Sequence, residues 1–353
     1  MTTRRLPQLA DSVRLLAEDD GSGVDILDRR VYPRDVSWVH CRTVEDVATA
    51  IRDMVTQSSG PVFAAAAGMV LAARANRSRP AGAARDAMRE AGSLLAATRP
   101  TNNHVRDVVA STLAVLDDPA ASEGGAALVE SVTTAAEAIV ARYRESSAAI
   151  GRHTAALIPD GSTVLTHCWA DQFLIGAVTA AQDAGKSLSF VCTETRPYLQ
   201  GARLTAPTLV EMGYTPTLIT DGMVAGVLAS GDVDVLLTAA DRVTLDGHVV
   251  NKVGTFTAAL AARHAGVPYL AMVDHPDAQS PTMDGVHMEE RDGAELLTFA
   301  GAPTTVAGVV GRYPAFDATP PELVTKIVTD RGAFDPARVG EYFAATPAGE
   351  VAV

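Results

Sequence analysis

The sequence is poor in cysteine, in aromatic residues and in positive charge. Its 353 residues include three scattered cysteines, Cys41, Cys168 and Cys192, and no CxxC pair. This scatter argues against a disulfide framework and against a thiolate zinc site. The 29 basic residues face 42 acidic ones, a net charge of −13. Such a balance argues against a nucleic-acid partner and against an anionic membrane surface.

Long apolar runs and the common nucleotide-binding motifs are also missing. No segment of roughly 18 apolar residues occurs, so we expect neither a signal peptide nor a membrane span and predict a cytoplasmic protein. No GxGxxG motif follows a predicted strand, which weakens the hypothesis of a dinucleotide enzyme, and no P-loop motif occurs.

The length and patterning predict two domains. Residues 1–126 read as a smaller, mainly helical domain that begins with two short strands. Apolar residues at helical spacing follow Thr43, a predicted N-cap, and alanine-rich helices come next. Asp117–Gly125 reads as a linker. Residues 127–353, which open with a long amphipathic helix, form the second domain.

The second domain alternates between strands and helices. This alternation predicts an α/β fold with a Rossmann-like parallel sheet covered on both faces. Helices are expected near Asp171, Ala202, Asp221 and Gly254. The predicted strands are Thr163–Thr166, Ser187–Val191, Thr215–Thr220, Val233–Leu237 and Val267–Val273.

Open parallel sheets bind their ligands beyond the carboxyl ends of the strands. Cys168 follows the first strand at a helix start, where the helix dipole would favour a thiolate. An inert buried cysteine is the alternative. His167 either orients the site or is a core histidine with satisfied hydrogen bonds.

Two aspartates and an anion-binding turn belong to the same edge. An apolar strand would deliver Asp241 into a partly dry site, where burial suits a general acid; a surface pair with Arg242 is the alternative. We interpret Asp221 as a helix N-cap. Gln200 and the pair Asn251–Lys252 precede predicted helices, where backbone amides and a cation would hold a phosphate.

Four motifs together resemble those of the methylthioribose-1-phosphate isomerase family in order and spacing. Its wider superfamily includes ribose-1,5-bisphosphate isomerases and the regulatory subunits of initiation factor 2B. The resemblance extends over most of the chain from about Thr43. The motifs are Thr166-His167-Cys168, Glu194 to Leu204 (ETRPYLQGARL), Ala240-Asp241-Arg242-Val243 and Asn251-Lys252-Val253-Gly254-Thr255.

The resemblance implies an aldose–ketose isomerase that acts on a furanose 1-phosphate without metal or cofactor, as a homodimer. It implies that Cys168 and Asp241 are the catalytic pair. It also implies that further residues hold the phosphate and the sugar hydroxyls, and we predict this role for Arg99, Gln200, Asn251, Lys252, Ser59, Gly60 and His167.

This chain departs from the family pattern at two places, which suggests a divergent paralogue. The family turn Arg-Gly-Ala-Pro, whose arginine helps to bind phosphate, is replaced by Gln57-Ser58-Ser59-Gly60-Pro61. Trp169-Ala170-Asp171 replaces Asn-Ala-Gly after the cysteine and would narrow or recharge the pocket mouth. Because Ser-Ser-Gly is closer to the regulatory subunits, a non-catalytic sensor of sugar phosphates or nucleotides is the alternative function.

Overall fold

The computed structural model describes residues 6–17, 22–99, 103–117 and 124–344. The chain divides into two compact units, Gln8–Glu145 and the part from Ser146 onward. The predicted fold class is confirmed, because a helical part with a few short strands precedes a sheet that is mostly parallel. Residues 118–123 of the predicted linker lie outside the described residues.

The helices and strands are numbered here in chain order. The helices are α1 Val44–Arg52, α2 Gly60–Asn76, α3 Ala81–Ala96, α4 Asn103–Ala114, α5 Gly125–Leu157, α6 Asp171–Asp183, α7 Ala206–Glu211, α8 Val224–Ala229 and α9 Thr255–Ala265. The strands are β1 Val13–Leu15, β2 Val24–Leu27, β3 Trp38–Cys41, β4 Thr163–Thr166, β5 Ser189–Thr193, β6 Thr217–Ile219, β7 Val235–Ala239, β8 Arg242–Val243, β9 Val249–Lys252, β10 Tyr269–Met272, β11 Glu290–Arg291, β12 Thr298–Phe299, β13 Ala302–Pro303, β14 Tyr313–Pro314, β15 Phe316–Thr319, β16 Lys326–Thr329 and β17 Gly332–Phe334.

The N-terminal unit packs helices against a small antiparallel sheet. That sheet has three strands in the order β1-β2-β3, so the two predicted strands are present and a third, β3, was not predicted. The Trp-Val-His-Cys sequence of β3 has no clear apolar alternation, and its pairing with β2 stabilises it as a strand. The predicted N-cap of α1 is confirmed: Thr43 and Asp46 form a reciprocal capping box.

Helix α2 is the centre of this unit. Its side chains are buried on every face from Gly60 to Ala73, as expected for a helix that is apolar all round. Alanine and glycine allow its neighbours to approach closely. A Cβ on Gly92 of α3 would lie 2.8 Å from Val109 of α4.

The C-terminal unit contains a sheet of seven strands. Their order is β17-β16-β10-β7-β4-β5-β6, and every neighbouring pair is parallel except β16 with β17. The strands begin about two residues later than predicted in β5, β6, β7 and β10, and β5 runs on to the buried polar residue Thr193.

Two smaller features fix the surroundings of the sheet edge. Helix α5 lies directly on α6, because a Cβ on Gly151 would be 2.3 Å from the carbonyl carbon of Gly176. An antiparallel sheet in the order β15-β9-β8 pairs Lys252 with Phe316 and Asn251 with Asp317. In the part of the chain that the structure describes, no helix is long and apolar enough to cross a membrane.

Candidate active site

The topology of the large sheet brings two predicted residues to its carboxyl edge. The chain runs from β4 to β5 and β6 on one side, and then returns to β7, β10 and β16 on the other. Ligands of open parallel sheets bind where the strand order reverses in this way. Cys168 follows β4 and Asp241 follows β7, so these two residues flank the reversal.

Cys168 has a strained backbone that two threonines hold. Its φ is +65°, in the left-handed region that residues other than glycine rarely adopt. Its N–H donates to Thr195 Oγ1 at 3.0 Å, and Thr205 Oγ1 donates to its carbonyl oxygen at 2.5 Å. Thr195 and Leu199 also have positive φ, at +62° and +66°. Strain of this kind is typical of functional sites.

The thiol of Cys168 is protonated at neutral pH. Burial raises its pKa to about 12, although the Lys252 ammonium and the N–H of Trp169 oppose this rise. The carboxylates of Asp241 and Asp221 raise the pKa further. The expectation of a thiolate at the helix start is therefore wrong, because desolvation outweighs every attraction that the site supplies.

Asp241 lies at the surface of the site. Its backbone N–H donates to the carbonyl oxygen of Val250 at 2.9 Å, which ties the end of β7 to β9. The residue is exposed, so the expectation of a partly dry position is wrong. Arg242 pairs with Asp277 at 3.1 Å. The Asp241 carboxylate is nevertheless close enough to Cys168 to affect the pKa of its thiol.

Lys252 provides a nearly buried positive charge. The residue is 9% exposed, and its Nζ lies 4.5 Å from the ring centre of Phe316 and 5.9 Å from that of Tyr313. Among the described residues no carboxylate oxygen lies within 4.0 Å of this Nζ. A desolvated ammonium without an ion-pair partner favours an anionic ligand.

Asp317 organises the turn that follows Lys252. Its carboxylate accepts the N–H groups of Gly254 at 2.7 Å and of Phe256 at 3.1 Å, at the start of α9. Burial raises the pKa of this carboxyl to about 6 despite these bonds. Sequence reasoning missed this role, because Asp317 lies 63 and 61 residues from the two amides that it binds.

His167 is enclosed by protein groups. Its Nδ1 lies 2.7 Å from Thr193 Oγ1 and its Nε2 lies 2.9 Å from the carbonyl oxygen of Val253. Burial lowers its pKa, so the ring is neutral at neutral pH. Both nitrogens bind protein groups, so this arrangement offers neither of them to a substrate.

Gln200 and Trp169 each carry a buried polar atom that no other described residue binds. Gln200 is 5% exposed, and its Oε1 is buried without a hydrogen-bond partner in the described part of the chain. The same holds for Nε1 of Trp169. Asn251 differs, because its Nδ2 donates to Thr255 Oγ1 at 3.0 Å. Trp169 and Asp171 are both buried, which contradicts their predicted position at a pocket mouth.

Asp221 has a role that its neighbours in sequence do not indicate. Its two carboxylate oxygens accept the N–H groups of Thr195 at 2.8 Å and of Arg196 at 2.7 Å. Its interpretation as an N-cap is wrong, because the side chain holds the loop after β5. The residues that meet here are 26 and 25 positions apart, which no local pattern could reveal.

Three of the predicted site residues belong to the N-terminal unit. Gly60 begins α2, Ser59 is buried directly before it, and Arg99 is half-buried after α3. The turn lacks a cation of its own, yet a fully buried arginine supports it. Arg29 Nη1 donates to the carbonyl oxygen of Gln57 at 2.7 Å, and Arg29 Nη2 donates to the Ser12 side chain at 2.8 Å.

Arg29 was not predicted from the sequence to support the Gln57–Gly60 turn, because it follows a short strand far from that turn in the chain. A Cβ on Gly60 would lie 1.7 Å from Thr56 Oγ1 and 3.4 Å from Arg29 Nη2, so a residue with a side chain does not fit there.

A surface cavity of about 500 Å³ lies at the opposite, amino-terminal edge of the sheet. Its charged side chains are engaged: Asp234 accepts the N–H of Thr163 at 2.8 Å, and Lys326 pairs with Asp335 at 2.6 Å. The described residues contain no cluster of three or more histidine, cysteine and acidic side chains that could hold a metal ion. The candidate active site is therefore the carboxyl edge.

Known proteins are similar to this chain over most of its length. The model of the Initiation factor 2 subunit family matches residues 56–336. The chain is 37% identical to the methylthioribose-1-phosphate isomerase of Anaeromyxobacter sp. (strain K), over 90% of this chain and 92% of that protein. It is 36% identical to the protein of the same name from Pelotomaculum thermopropionicum, over 90% of each chain.

Two solved structures share the fold over nearly the whole chain. The 5-methylthioribose 1-phosphate isomerase of Pyrococcus horikoshii OT3 has a TM-score of 0.87 and 27% identity, and covers 98% of this chain and 99% of its own. The delta subunit of translation initiation factor eIF-2B from A. fulgidus has a TM-score of 0.79 and 31% identity, with 94% and 96% covered.

Fold and site together define an α/β protein with a cysteine and a carboxylate on either side of the strand reversal and a nearly buried lysine nearby. The chain belongs to the Initiation factor 2 subunit family. The resemblance to methylthioribose-1-phosphate isomerases, which the motifs indicated, is confirmed.

Proposed function

We propose that the protein is an aldose–ketose isomerase that converts a 5-substituted or 5-deoxy ribose 1-phosphate, such as methylthioribose 1-phosphate, to the ribulose 1-phosphate. One observation carries this proposal. The protonated thiol of Cys168 lies within electrostatic reach of both the Asp241 carboxylate and the Lys252 ammonium. The names of the sequence relatives support the same reaction class.

The reaction requires a proton carrier, because the phosphate on the anomeric oxygen prevents spontaneous ring opening. Overall, the bond between C1 and the ring oxygen breaks, the hydrogen on C2 moves with its electron pair to C1, and the proton of the 2-hydroxyl moves to the ring oxygen, which leaves a ketone at C2. Asp241 would carry that proton as the general base and then the general acid. The residue is exposed and therefore accessible to an entering sugar.

Cys168 would assist the transfer of hydrogen between C2 and C1. A thiol with a pKa of about 12 is a poor base, because it must first lose its own proton. This protonation state supports a direct shift of hydride from C2 to C1 beside an uncharged sulfur. It disfavours removal of the C2 proton by a thiolate.

Lys252 would bind the phosphate group. Its desolvated ammonium has no carboxylate within 4.0 Å in the described structure, whereas the amides of Gly254 and Phe256 that follow it are already bound by Asp317. Asn251 and Gln200 would bind sugar hydroxyls, the latter through a buried oxygen that has no hydrogen-bond partner among the described residues. Arg99, Ser59 and Gly60 remain proposed ligands on the strength of the resemblance.

A panel of sugar 1-phosphates that differ only at the 5-position tests this function. We expect ketose formation, followed by proton NMR, to be fastest with an apolar thioether or deoxy substituent. Cys192→Ala, which changes a fully buried cysteine of the same sheet, is the control for substitutions of Cys168 and should keep the activity. Absence of turnover with every member of the panel, by folded protein, would refute the proposal.

Two observations favour a second function. The Gln57–Gly60 turn has no cation, and the chain is 31% identical to the delta subunit of translation initiation factor eIF-2B from A. fulgidus. A sensor of sugar phosphates or nucleotides would bind its ligand without turnover. In that case Cys168→Ser would leave the affinity unchanged, and no ketose would form with the natural residue.

The assembly, the location and the chemistry without cofactors are also proposals. We propose a cytoplasmic homodimer that works without metal or organic cofactor, in a reaction of the methionine-salvage type. Light scattering after gel filtration should give twice the mass of one chain. Activity should survive dialysis against a strong chelator, and its loss would contradict metal independence.

A further inference from the structure

The backbone of Cys168 needs an outside source of stabilisation. A residue with a side chain rarely adopts a φ of +65°, and such strain persists only where the surroundings impose it. The hydroxyls of Thr195 and Thr205 bind the two polar groups of the Cys168 backbone, and both threonines are 0% exposed. They come from different elements, the loop after β5 and the turn before α7.

We propose that Thr195 and Thr205 are positioning residues that hold Cys168 in its left-handed conformation and so aim its thiol at the substrate. This inference rests on the proposed isomerase function. Thr195 fixes the N–H of the cysteine, and Thr205 fixes its carbonyl oxygen, so the peptide units on both sides of the Cα are immobilised.

The hydrogen-bond chain behind Thr195 has a defined direction. The carbonyl oxygen of Val253 can only accept, so His167 Nε2 carries the proton. The neutral ring then presents a bare Nδ1, to which the Thr193 hydroxyl must donate.

The same logic continues to the cysteine. Thr195 Oγ1 lies 3.1 Å from Thr193 Oγ1 and donates to it, which leaves the Thr195 oxygen free to accept the N–H of Cys168. His167 thereby joins the cysteine loop to Val253, the residue directly after Lys252. The tautomer of one buried histidine sets the direction of every bond in this chain, which makes His167 a positioning residue as well.

Isosteric substitutions test the proposal. Thr195→Val and Thr205→Val each remove a hydroxyl and keep the volume. Thr208→Val is the matched control, because its hydroxyl is equally buried but has no hydrogen-bond partner in the described structure. We expect both test variants to lose about 10- to 100-fold in kcat with little change in KM, the effect of a misplaced reacting group. Thr195→Ser, which keeps the hydroxyl, should restore kcat.

A second readout separates this proposal from the proposed function. The rate of alkylation of Cys168 by iodoacetamide, assigned by mass spectrometry, needs no substrate. Release of the loop should raise this rate by roughly 3- to 10-fold, the factor for the loss of one net hydrogen bond. Absence of turnover on every sugar phosphate would refute the function, while faster alkylation would still support the positioning role.

Two results would overturn the proposal. One is that both valine variants match Thr208→Val in kcat and in alkylation rate. The other is that, in the unmodified protein, the Cys168 amide exchanges its hydrogen as fast as the amide of an unprotected peptide. This measurement tests the proposal even if neither variant folds. If only one variant folds, it decides by the same criteria, since each threonine acts from its own element.

Discussion

The protonation state of Cys168 makes the sharpest prediction about the site. Burial raises the pKa of its thiol from 9.0 to about 12. Three pKa units correspond to about a thousandfold smaller thiolate fraction at any pH below 9. Because only the thiolate is alkylated, Cys168 should react about a thousand times more slowly at pH 8 than an ordinary exposed thiol.

The pH profile and two charge variants test this value. The alkylation rate should rise tenfold per pH unit without levelling off up to pH 10. Asp241→Asn should accelerate the reaction, because it removes a carboxylate that raises the thiol pKa. Lys252→Met should slow it, because it removes an attraction that lowers the pKa. A rate that levels off near pH 9, or charge variants without effect, would refute the account of the thiol.

Three further predictions concern Lys252, Gly254 and Arg29. In steady-state assays, Lys252→Met should raise KM for the sugar phosphate by roughly 10- to 150-fold, the range for a lost charged hydrogen bond. The control Lys326→Met, which removes a surface ion pair, should leave KM unchanged. Gly254→Ala should lower the free energy of unfolding, measured by urea titration, by about 1–3 kcal/mol because of its φ of +105°. The loss should be larger still, because the new Cβ would lie 2.9 Å from the His167 ring. The control Gly266→Ala, at φ +73° with no atom within 4 Å, should cost less. Arg29→Gln should destabilise the protein by about 3 kcal/mol, because it removes the hydrogen bonds that the buried guanidinium donates. Substitution of the exposed Arg30 by Gln should cost under about 1 kcal/mol in the same titration. Equal effects of Gly254→Ala and Gly266→Ala, or of Arg29→Gln and Arg30→Gln, would contradict the assigned contacts.

The fold was largely predictable from local patterns. Apolar strands followed by helices predicted the parallel sheet, and the Thr43 cap predicted the start of α1. The strand β3 was missed because its residues become a strand by pairing with β2, which is a tertiary effect. The beginning of β5 was misplaced by two residues, since apolar character alone does not mark where sheet pairing starts.

The site was predictable where reactive residues follow predicted strands or precede predicted helices. Cys168 and Asp241 were found at strand ends and Lys252 before a helix, and the structure brings the three residues within electrostatic reach of one another. The protonated thiol was not predictable, because desolvation depends on all surrounding atoms. Arg29 and Asp221 act on turns more than 20 residues away, a relation that spacing along the chain cannot express.

The most direct test of the central claim is carbon-13 NMR of methylthioribose 1-phosphate labelled at C2. With the unmodified protein, a new ketone carbonyl signal should appear. Asp241→Asn should still bind the substrate but form the ketose at least 100-fold more slowly, the usual scale of a lost acid–base group. Cys168→Ser should also bind the substrate and form the ketose more slowly than the unmodified protein. A carbonyl signal that grows at the same rate with Cys168→Ser would contradict the account.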